Sequence, residues 1–287
     1  MSIIELDTVA LARRIRADVL RMVHAAKASH VGSALSCVDI LAVLYGGVLR
    51  VAPAKLDDPD RDRFILSKGH AAAAIYATLA NTGFFARERL ATYCANGTAL
   101  AGHAHHHGVP GVEISTGSLG HGLPIGVGMA LAAQADGRPT KVYVVLSDGE
   151  CDEGSNWEAA LFAPQHKLRN LTAIVDYNKI QSYGRVADVL ELHPLVDKWR
   201  AFRWNVREVD GHDHAQLRQA LTAPPGVDEN PDHPRMLIAH TVKGKGVSFM
   251  EDQNVWHYRN PSDEQLAKAL AELEAPGAAR GRGDKSK

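Results

Sequence analysis

The stretch "KVYVVLSDGE" (residues 141–150) decides the fold. Val142 to Leu146 form an apolar run with no polar alternation, which is the pattern of a strand covered on both faces by helices, as in parallel sheets. At its end, Asp148-Gly149 reads in two ways. It is either an ordinary turn closing a buried strand, or a metal ligand with a backbone amide beside it.

The pattern continues downstream. A helix from about Asn156 to Lys167 leads to "NLTAIVDYN" (170–178), and a helix near Leu195 to Phe202 leads to "RWNVREVDG" (203–211). A helix from about His214 to Leu221 is then followed by "RMLIAHT" (235–241). Short β-branched runs alternating with helical patterns predict an α/β fold, three layers αβα with a mostly parallel sheet. In such sheets ligands bind beyond the carboxyl ends of the strands. Upstream, "LDTVALARRIRADVLRMVHAAKAS" (6–29) places Val9, Leu11, Ile15, Val19, Leu20 and Met22 on one helical stripe, an amphipathic helix. "APPGVDENPDHP" (223–234) reads as a surface loop. The expected organisation is one domain over residues 1–272 and a disordered polar tail over 273–287, where apolar content is lacking.

Composition narrows the partners. Lys plus Arg total 32 against 33 Asp plus Glu in 287 residues, a net charge of −1 that gives no reason to expect nucleic acid or a membrane surface. A small-molecule substrate is expected. Three cysteines (Cys37, Cys94, Cys151) without a C-x-x-C pair fit neither a disulfide framework nor a cysteine-rich zinc site, and read as ordinary, partly buried thiols. Glu5, Asp7, Arg13 and Arg14 occupy the position of a signal-peptide core, and the uncharged stretch Ile114 to Gln134 contains five glycines and a histidine, which suits no membrane span. A cytoplasmic location is expected.

Asn178 follows "AIVDY" as Asp148 follows "VYVVLS". With a helix returning the chain between them, a carboxylate and an amide oxygen should share one edge of adjacent parallel strands, the ligand type that Mg²⁺ or Ca²⁺ takes. "STGSLGHGLPIGVGMALAAQ" (115–134) is a glycine-rich entry to a helix, suited to close approach by a phosphate or a ring and equally to close helix packing. It carries neither a P-loop G-K-[ST] nor the G-x-G-x-x-G fingerprint. Fifteen histidines include His30, His70, His103, His105 to His107 and His257 beside small residues, where imidazoles donate to phosphate or sugar hydroxyls, or stay merely solvated. The 103–107 group offers zinc no cysteine or firmly placed carboxylate. His193, His212, His214 and His233 read as surface residues. Lys243 and Lys245, between glycines, either attract phosphate or belong to a solvated loop.

Taken together, "SDGE", "VDYNKIQ", "TGSLGHG", "SKGHA", "GHAH" and "TVKGKGVSFMEDQNVWH" resemble the thiamine-diphosphate domain of transketolases, in order from about residue 10 to 262. The resemblance implies the thiamine-diphosphate-binding fold and the N-terminal subunit of a split transketolase. Its partner would be a C-terminal transketolase subunit with the pyrimidine-binding domain, in a heterotetramer acting on sugars or sugar phosphates. It further implies that Asp148, the Asn178 side chain and the Ile180 carbonyl ligate Mg²⁺ (with Ca²⁺ or Mn²⁺ as alternatives), and that His70, the Gly149 amide, Asn178 and His257 hold the diphosphate. Gly117, Ser118 and Leu119 would line the cofactor rings, and His30, His103 and His257 would contact sugar hydroxyls and assist proton transfer. Glu153 matches an acidic residue near the subunit interface, or is simply a carboxylate at a helix N-terminus. The implied activity is transfer of a two-carbon glycolaldehyde unit from a ketose to an aldose acceptor.

Departures from the family pattern bear on the sugar. Ser147 replaces a glycine, Ala104 and His105 to His107 stand where proline and an acidic residue are common, and His121 replaces glutamine, so a specialised-metabolism substrate stays open. The nearest rivals share the cofactor: a 2-oxo-acid dehydrogenase E1 subunit or a 1-deoxyxylulose-phosphate synthase. From another class, the alternative is a non-catalytic module binding phosphosugar or nucleotide.

Overall fold

The structure, a computed structural model, describes residues 5–275. In chain order the helices and strands are α1 (Thr8–Ala26), α2 (Val31–Ser36), α3 (Val38–Gly47), β1 (Arg63–Leu66), α4 (Ala72–Asn81), α5 (Gly122–Ala135), β2 (Val142–Ser147), α6 (Gly154–Gln165), β3 (Leu171–Tyr177), α7 (Val186–Val189), α8 (Leu195–Ala201), β4 (Asn205–Asp210), α9 (His214–Thr222), β5 (Arg235–His240) and α10 (Asp263–Glu274). The strands form one sheet in the order β1-β2-β3-β5-β4, with every neighbouring pair parallel.

Alternation along the buried strands divides the core in two. Tyr143 and Val145 of β2, with Ile174 and Leu237, join the cluster built by α1, α3, α4 and α9. Val142, Val144 and Leu146, with Ala173, Val175 and Ile238, join the cluster built by α5, α6 and α8. All six residues of β2 are buried, which is why its sequence lacks polar alternation. The expected three-layer αβα architecture is therefore the one observed. β4 departs from the wholly apolar expectation: as an edge strand it alternates between half-buried and exposed residues after Asn205.

The amphipathic helix is α1, capped by Asp7 accepting from the Ala10 amide at 3.0 Å. Leu11, Ile15, Val19, Leu20 and Met22 are buried, whereas Val9 is exposed. Periodicity did not disclose α3 and α4. Every residue of "VDILAVLYGG" is buried, and all but the last of "AAAIYATLAN", so neither helix shows a polar face.

α10 ends at Glu274 with Leu273 buried, so ordered structure enters the first positions assigned to the tail; residues 276–287 lie outside those described. Cys37 and Cys151 are fully buried and Cys94 is exposed. Among the described residues, no helix is long and apolar enough to cross a membrane.

Candidate active site

The carboxyl ends of β2, β3 and β5 build one edge. Ser147 pairs with Asp176, and Tyr177 with His240, so Asp148, Asn178 and Thr241 each begin the segment leaving the sheet. Asp148 is buried, its Oδ1 accepting from the Gly149 amide at 2.8 Å and its Oδ2 from the Lys179 amide at 2.6 Å. Asn178 is buried too, its Oδ1 accepting from the Ile180 amide at 3.1 Å. The turn reading holds: Asp148 caps the short 3₁₀ turn Gly149–Asp152, and its carboxylate also sits against the Asn178 turn. The Gly149 amide, expected to face a diphosphate, donates here to Asp148.

Lys243 overturns the solvated-loop reading. It is fully buried, and its Nζ donates to the Ile180 carbonyl at 3.1 Å, the Gln181 carbonyl at 3.4 Å and His257 Nδ1 at 3.0 Å. Burial lowers its pKa to about 8. An ammonium only donates, so His257 Nδ1 is bare and its ring proton sits on Nε2.

Four histidines that are far apart in sequence meet beside this corner. The His30 ring centroid lies 4.9 Å from that of His257, 5.3 Å from His70 and 5.8 Å from His103. Burial, then the charges of His103, Lys243 and Lys68, lowers His30 to about 4, while burial and Lys243 lower His257 to about 3. Burial and Lys68 hold His70 well below its ordinary value. At neutral pH these three imidazoles are uncharged donors and acceptors. His30 has a left-handed backbone (φ 70°), and its amide donates to the His257 carbonyl at 2.9 Å, so strain is accepted where the cluster is assembled.

Loop contacts set the cluster. A Cβ on Gly69 would lie 2.4 Å from the Thr116 carbonyl carbon and 2.6 Å from the Gly117 nitrogen, so glycine lets the His70 turn touch the Gly117 loop. Gly117 packs against the His103 ring. Ser118 is exposed, and Leu119 is half-buried.

Three buried ion or hydrogen-bond centres were not anticipated. Glu150 accepts from Ser67 Oγ, from the Gly120 amide at 3.0 Å and from the Ser147 amide at 3.2 Å, tying three site loops together. Lys68 pairs with Asp176, which also accepts from Ser36 Oγ at 2.6 Å and from Thr241 Oγ1. Asp39 binds Arg16, His212 and His214. The last finding corrects the surface assignment of His212 and His214, whose rings are largely covered because they satisfy a buried carboxylate. Only "VDYN" gave a signal, an aspartate within an otherwise apolar strand.

Glu153 is exposed and precedes α6 without a side-chain capping bond. The rings of His105, His106 and His107 lie within 6.0 Å of one another, with Ser115 Oγ beside His105 and His106. Among the described residues, no three His, Cys, Asp or Glu side chains form a group that could hold a metal. The Asp148 corner is of another kind: one carboxylate, one amide oxygen and one carbonyl. This all-oxygen set fits a hard divalent cation accompanied by phosphate oxygens.

Residues 8–273 match the family model described as transketolase, thiamine diphosphate binding domain. The chain belongs to the transketolase family. It is 43% identical over 258 residues to one subunit of an apulose-4-phosphate transketolase from Phocaeicola vulgatus, covering 90% of each chain. It is 40% identical over 278 residues to a subunit of a 6-deoxy-6-sulfo-D-fructose transketolase from Clostridium, covering 97% of this chain and all of that one. Among solved structures, transketolase from Leishmania mexicana superposes with a TM-score of 0.86 at 28% identity, over 96% of this chain and 43% of that one. The chain thus spans less than half of a full-length transketolase and nearly the whole of the subunits it resembles. It is an enzyme component of a transferase family with a thiamine-diphosphate-binding fold.

Proposed function

We propose that this chain is the N-terminal subunit of a two-chain transketolase, which works in the cytoplasm as a heterotetramer with a C-terminal subunit. The observation that carries the reading is the meeting of His30, His70, His103 and His257 beside the Asp148–Asn178 corner. Asp148, the Asn178 side chain and the Ile180 carbonyl would hold Mg²⁺, with Ca²⁺ or Mn²⁺ able to replace it. His70, His257 and Asn178 would hold the diphosphate, joined by the Gly149 amide once it turns from Asp148, with Lys243 beside them. Gly117, Ser118 and Leu119 would line the rings.

Thiamine diphosphate, when bound, supplies the carbon that carries the two-carbon unit between sugars. The chain's share is position and proton traffic. His30, His103 and His257 face the sugar hydroxyls, and the Lys243 contact leaves His257 with a donor at Nε2. Neutral rings suit a site in which a divalent ion already offsets the diphosphate charge. Glu153, exposed at the start of α6, is positioned for contact with another protomer. The relatives named for apulose-4-phosphate and for a sulfo-deoxyfructose support a specialised ketose bearing an anionic end as donor or product.

The test is reconstitution. The chain is expressed with a candidate C-terminal transketolase subunit carrying the pyrimidine-binding domain, and glycolaldehyde transfer is followed with thiamine diphosphate and Mg²⁺ across a panel of ketoses and aldoses. Activity is expected from the pair and not from this chain alone. Transfer by the isolated chain overturns the split-site reading.

A further inference from the structure

Asp39, near the start of α3, touches none of the four clustered histidines, yet it is connected to both sides of Lys243. Its Oδ1 accepts from Arg16 Nη1 at 3.0 Å and from His214 Nε2 at 3.0 Å, and its Oδ2 from Arg16 Nη2 at 2.6 Å and from His212 Nδ1 at 2.7 Å. Two of these neighbours reach onward. Arg16 Nε donates to the Lys245 carbonyl at 3.0 Å, and the Val242 amide donates to His212 Nε2 at 2.8 Å. The loop is therefore gripped one residue before and two residues after Lys243. Within the grip, the Gly244 amide donates to the Gly32 carbonyl at 2.9 Å. Gly244 has φ +79°, and a Cβ there would lie 2.3 Å from the Met250 carbonyl oxygen, so its backbone path admits only glycine.

The hydrogen bonds also fix the His212 tautomer. A backbone N–H only donates, so Nε2 must be bare and the ring proton must sit on Nδ1, pointing at Asp39. His212 holds the loop as a neutral ring. Arg16, bidentate on Asp39, supplies the countercharge that keeps this buried carboxylate ionised.

We propose that Asp39, Arg16 and His212 are positioning residues: they hold the 242–245 loop so that Lys243 Nζ reaches the Ile180 carbonyl and His257. The proposal rests on the reading of that corner as the cofactor's, but the grip itself is testable without cofactor.

Nitrogen-15 NMR of histidine-labelled full-length chain should show His212 with Nδ1 protonated and Nε2 bare. An Nε2-protonated ring, or an imidazolium at neutral pH, overturns the proposal even if no variant folds. Two substitutions then separate the two ends of the ring. His212→Asn retains a donor near Nδ1 and loses the acceptor for Val242, whereas His212→Gln places an amide oxygen near Nε2. His212→Asn should speed hydrogen exchange of the 241–247 segment about tenfold, the weight of one buried hydrogen bond, and His212→Gln much less.

In the reconstituted enzyme, His212→Asn should raise half-saturation by thiamine diphosphate with Mg²⁺ by a similar factor, with kcat at saturation nearly kept. Wild-type exchange in His212→Asn, equal effects of the two substitutions, or faster exchange with unchanged half-saturation each overturn it. Failure of the wild-type pair to take up cofactor at all would instead sink the functional reading, while the tautomer and exchange results still decide the grip.

Discussion

The Lys179 amide donates to Asp148 Oδ2 at 2.6 Å, bridging from the turn after β3 to the end of β2. This bond fastens the carboxylate to the residue that follows Asn178, so the Asp148 and Asn178 side chains are set as one unit by backbone. Burial, with Asp176 nearby, raises the Asp148 carboxyl to about 6. Among the described residues its oxygens hydrogen-bond only to backbone N–H groups. An ionised Asp148 is thus costly in this setting.

Asp148→Asn should separate folding from ligand binding. The amide keeps one acceptor but turns an NH₂ toward the other backbone N–H, so the variant removes a buried charge and loses one buried hydrogen bond; the chain without cofactor should still fold, melting somewhat below wild type. A ligand at a hundred times its dissociation constant stabilises by about 2.7 kcal/mol, and wild type with its partner chain should show that rise on adding thiamine diphosphate and Mg²⁺. The variant should lose it. Scanning calorimetry with and without both ligands reads the outcome, and a retained shift would remove Asp148 from the metal site.

The Lys68–Asp176 pair is fully buried, and breaking it from one side leaves an unpaired charge in the core. Lys68→Met should cost about 3–5 kcal/mol in urea unfolding without cofactor. Lys68→Met combined with Asp176→Leu should recover at least half of the loss. A single-variant cost below about 1 kcal/mol, the range of exposed pairs, would show that the pair opens to solvent.

How much of this was legible follows from where each signal lies. β2, β3 and β5 are largely apolar runs followed by Asp148, Asn178 and Thr241, so the layers, the strand direction and the meeting of these residues at one sheet edge could be read locally. Lys68 and Lys243 could not, because a lysine beside glycine looks the same whether its ammonium meets water or a carbonyl; the partners Asp176 and Ile180 are 108 and 63 residues away. His212 was misjudged for the same reason, its partner Asp39 being 173 residues distant. The order of the histidine motifs hinted at a shared site. Only the crossing of α2, the His70 turn and the segment Asn254–His257 brings His30, His70 and His257 together.

Asp39 gives a pH dependence with a definite sign. Burial pushes its carboxyl up, but the Arg16 guanidinium and the bonds from His212 and His214 outweigh it and hold it well below 3.8. A depressed carboxyl stabilises the fold above its unfolded value, and that stabilisation is lost as pH falls through the folded value. The stability gap between wild type and Asp39→Asn should therefore be full at pH 7, still full at about pH 5, and shrinking below about 3.9, the unperturbed Asp value. Urea midpoints of both proteins across that range check it; a gap that narrows between pH 7 and 5 contradicts the assignment to Asp39.

Gly69 and Gly128 predict opposite signs for the same chemical change. A Cβ on Gly69 would press on the backbone of Thr116 and Gly117 at 2.4–2.6 Å, whereas one on Gly128, within α5, meets nothing within 4 Å. Backbone cannot swing aside as a side chain does, so Gly69→Ala must drive the His70 turn away from the Gly117 loop. The strain should cost about 1–3 kcal/mol. Gly128→Ala should stabilise the isolated chain by roughly 0.5–1 kcal/mol, since alanine loses less backbone entropy in a helix. In the reconstituted enzyme, Gly69→Ala should also raise half-saturation by thiamine diphosphate if the proposed site is right, because His70 and the Gly117 loop no longer meet. Thermal melts of both variants, and a cofactor titration of Gly69→Ala, give the result. A Gly69→Ala chain as stable as wild type with unchanged cofactor affinity would mean that the two loops do not touch in solution.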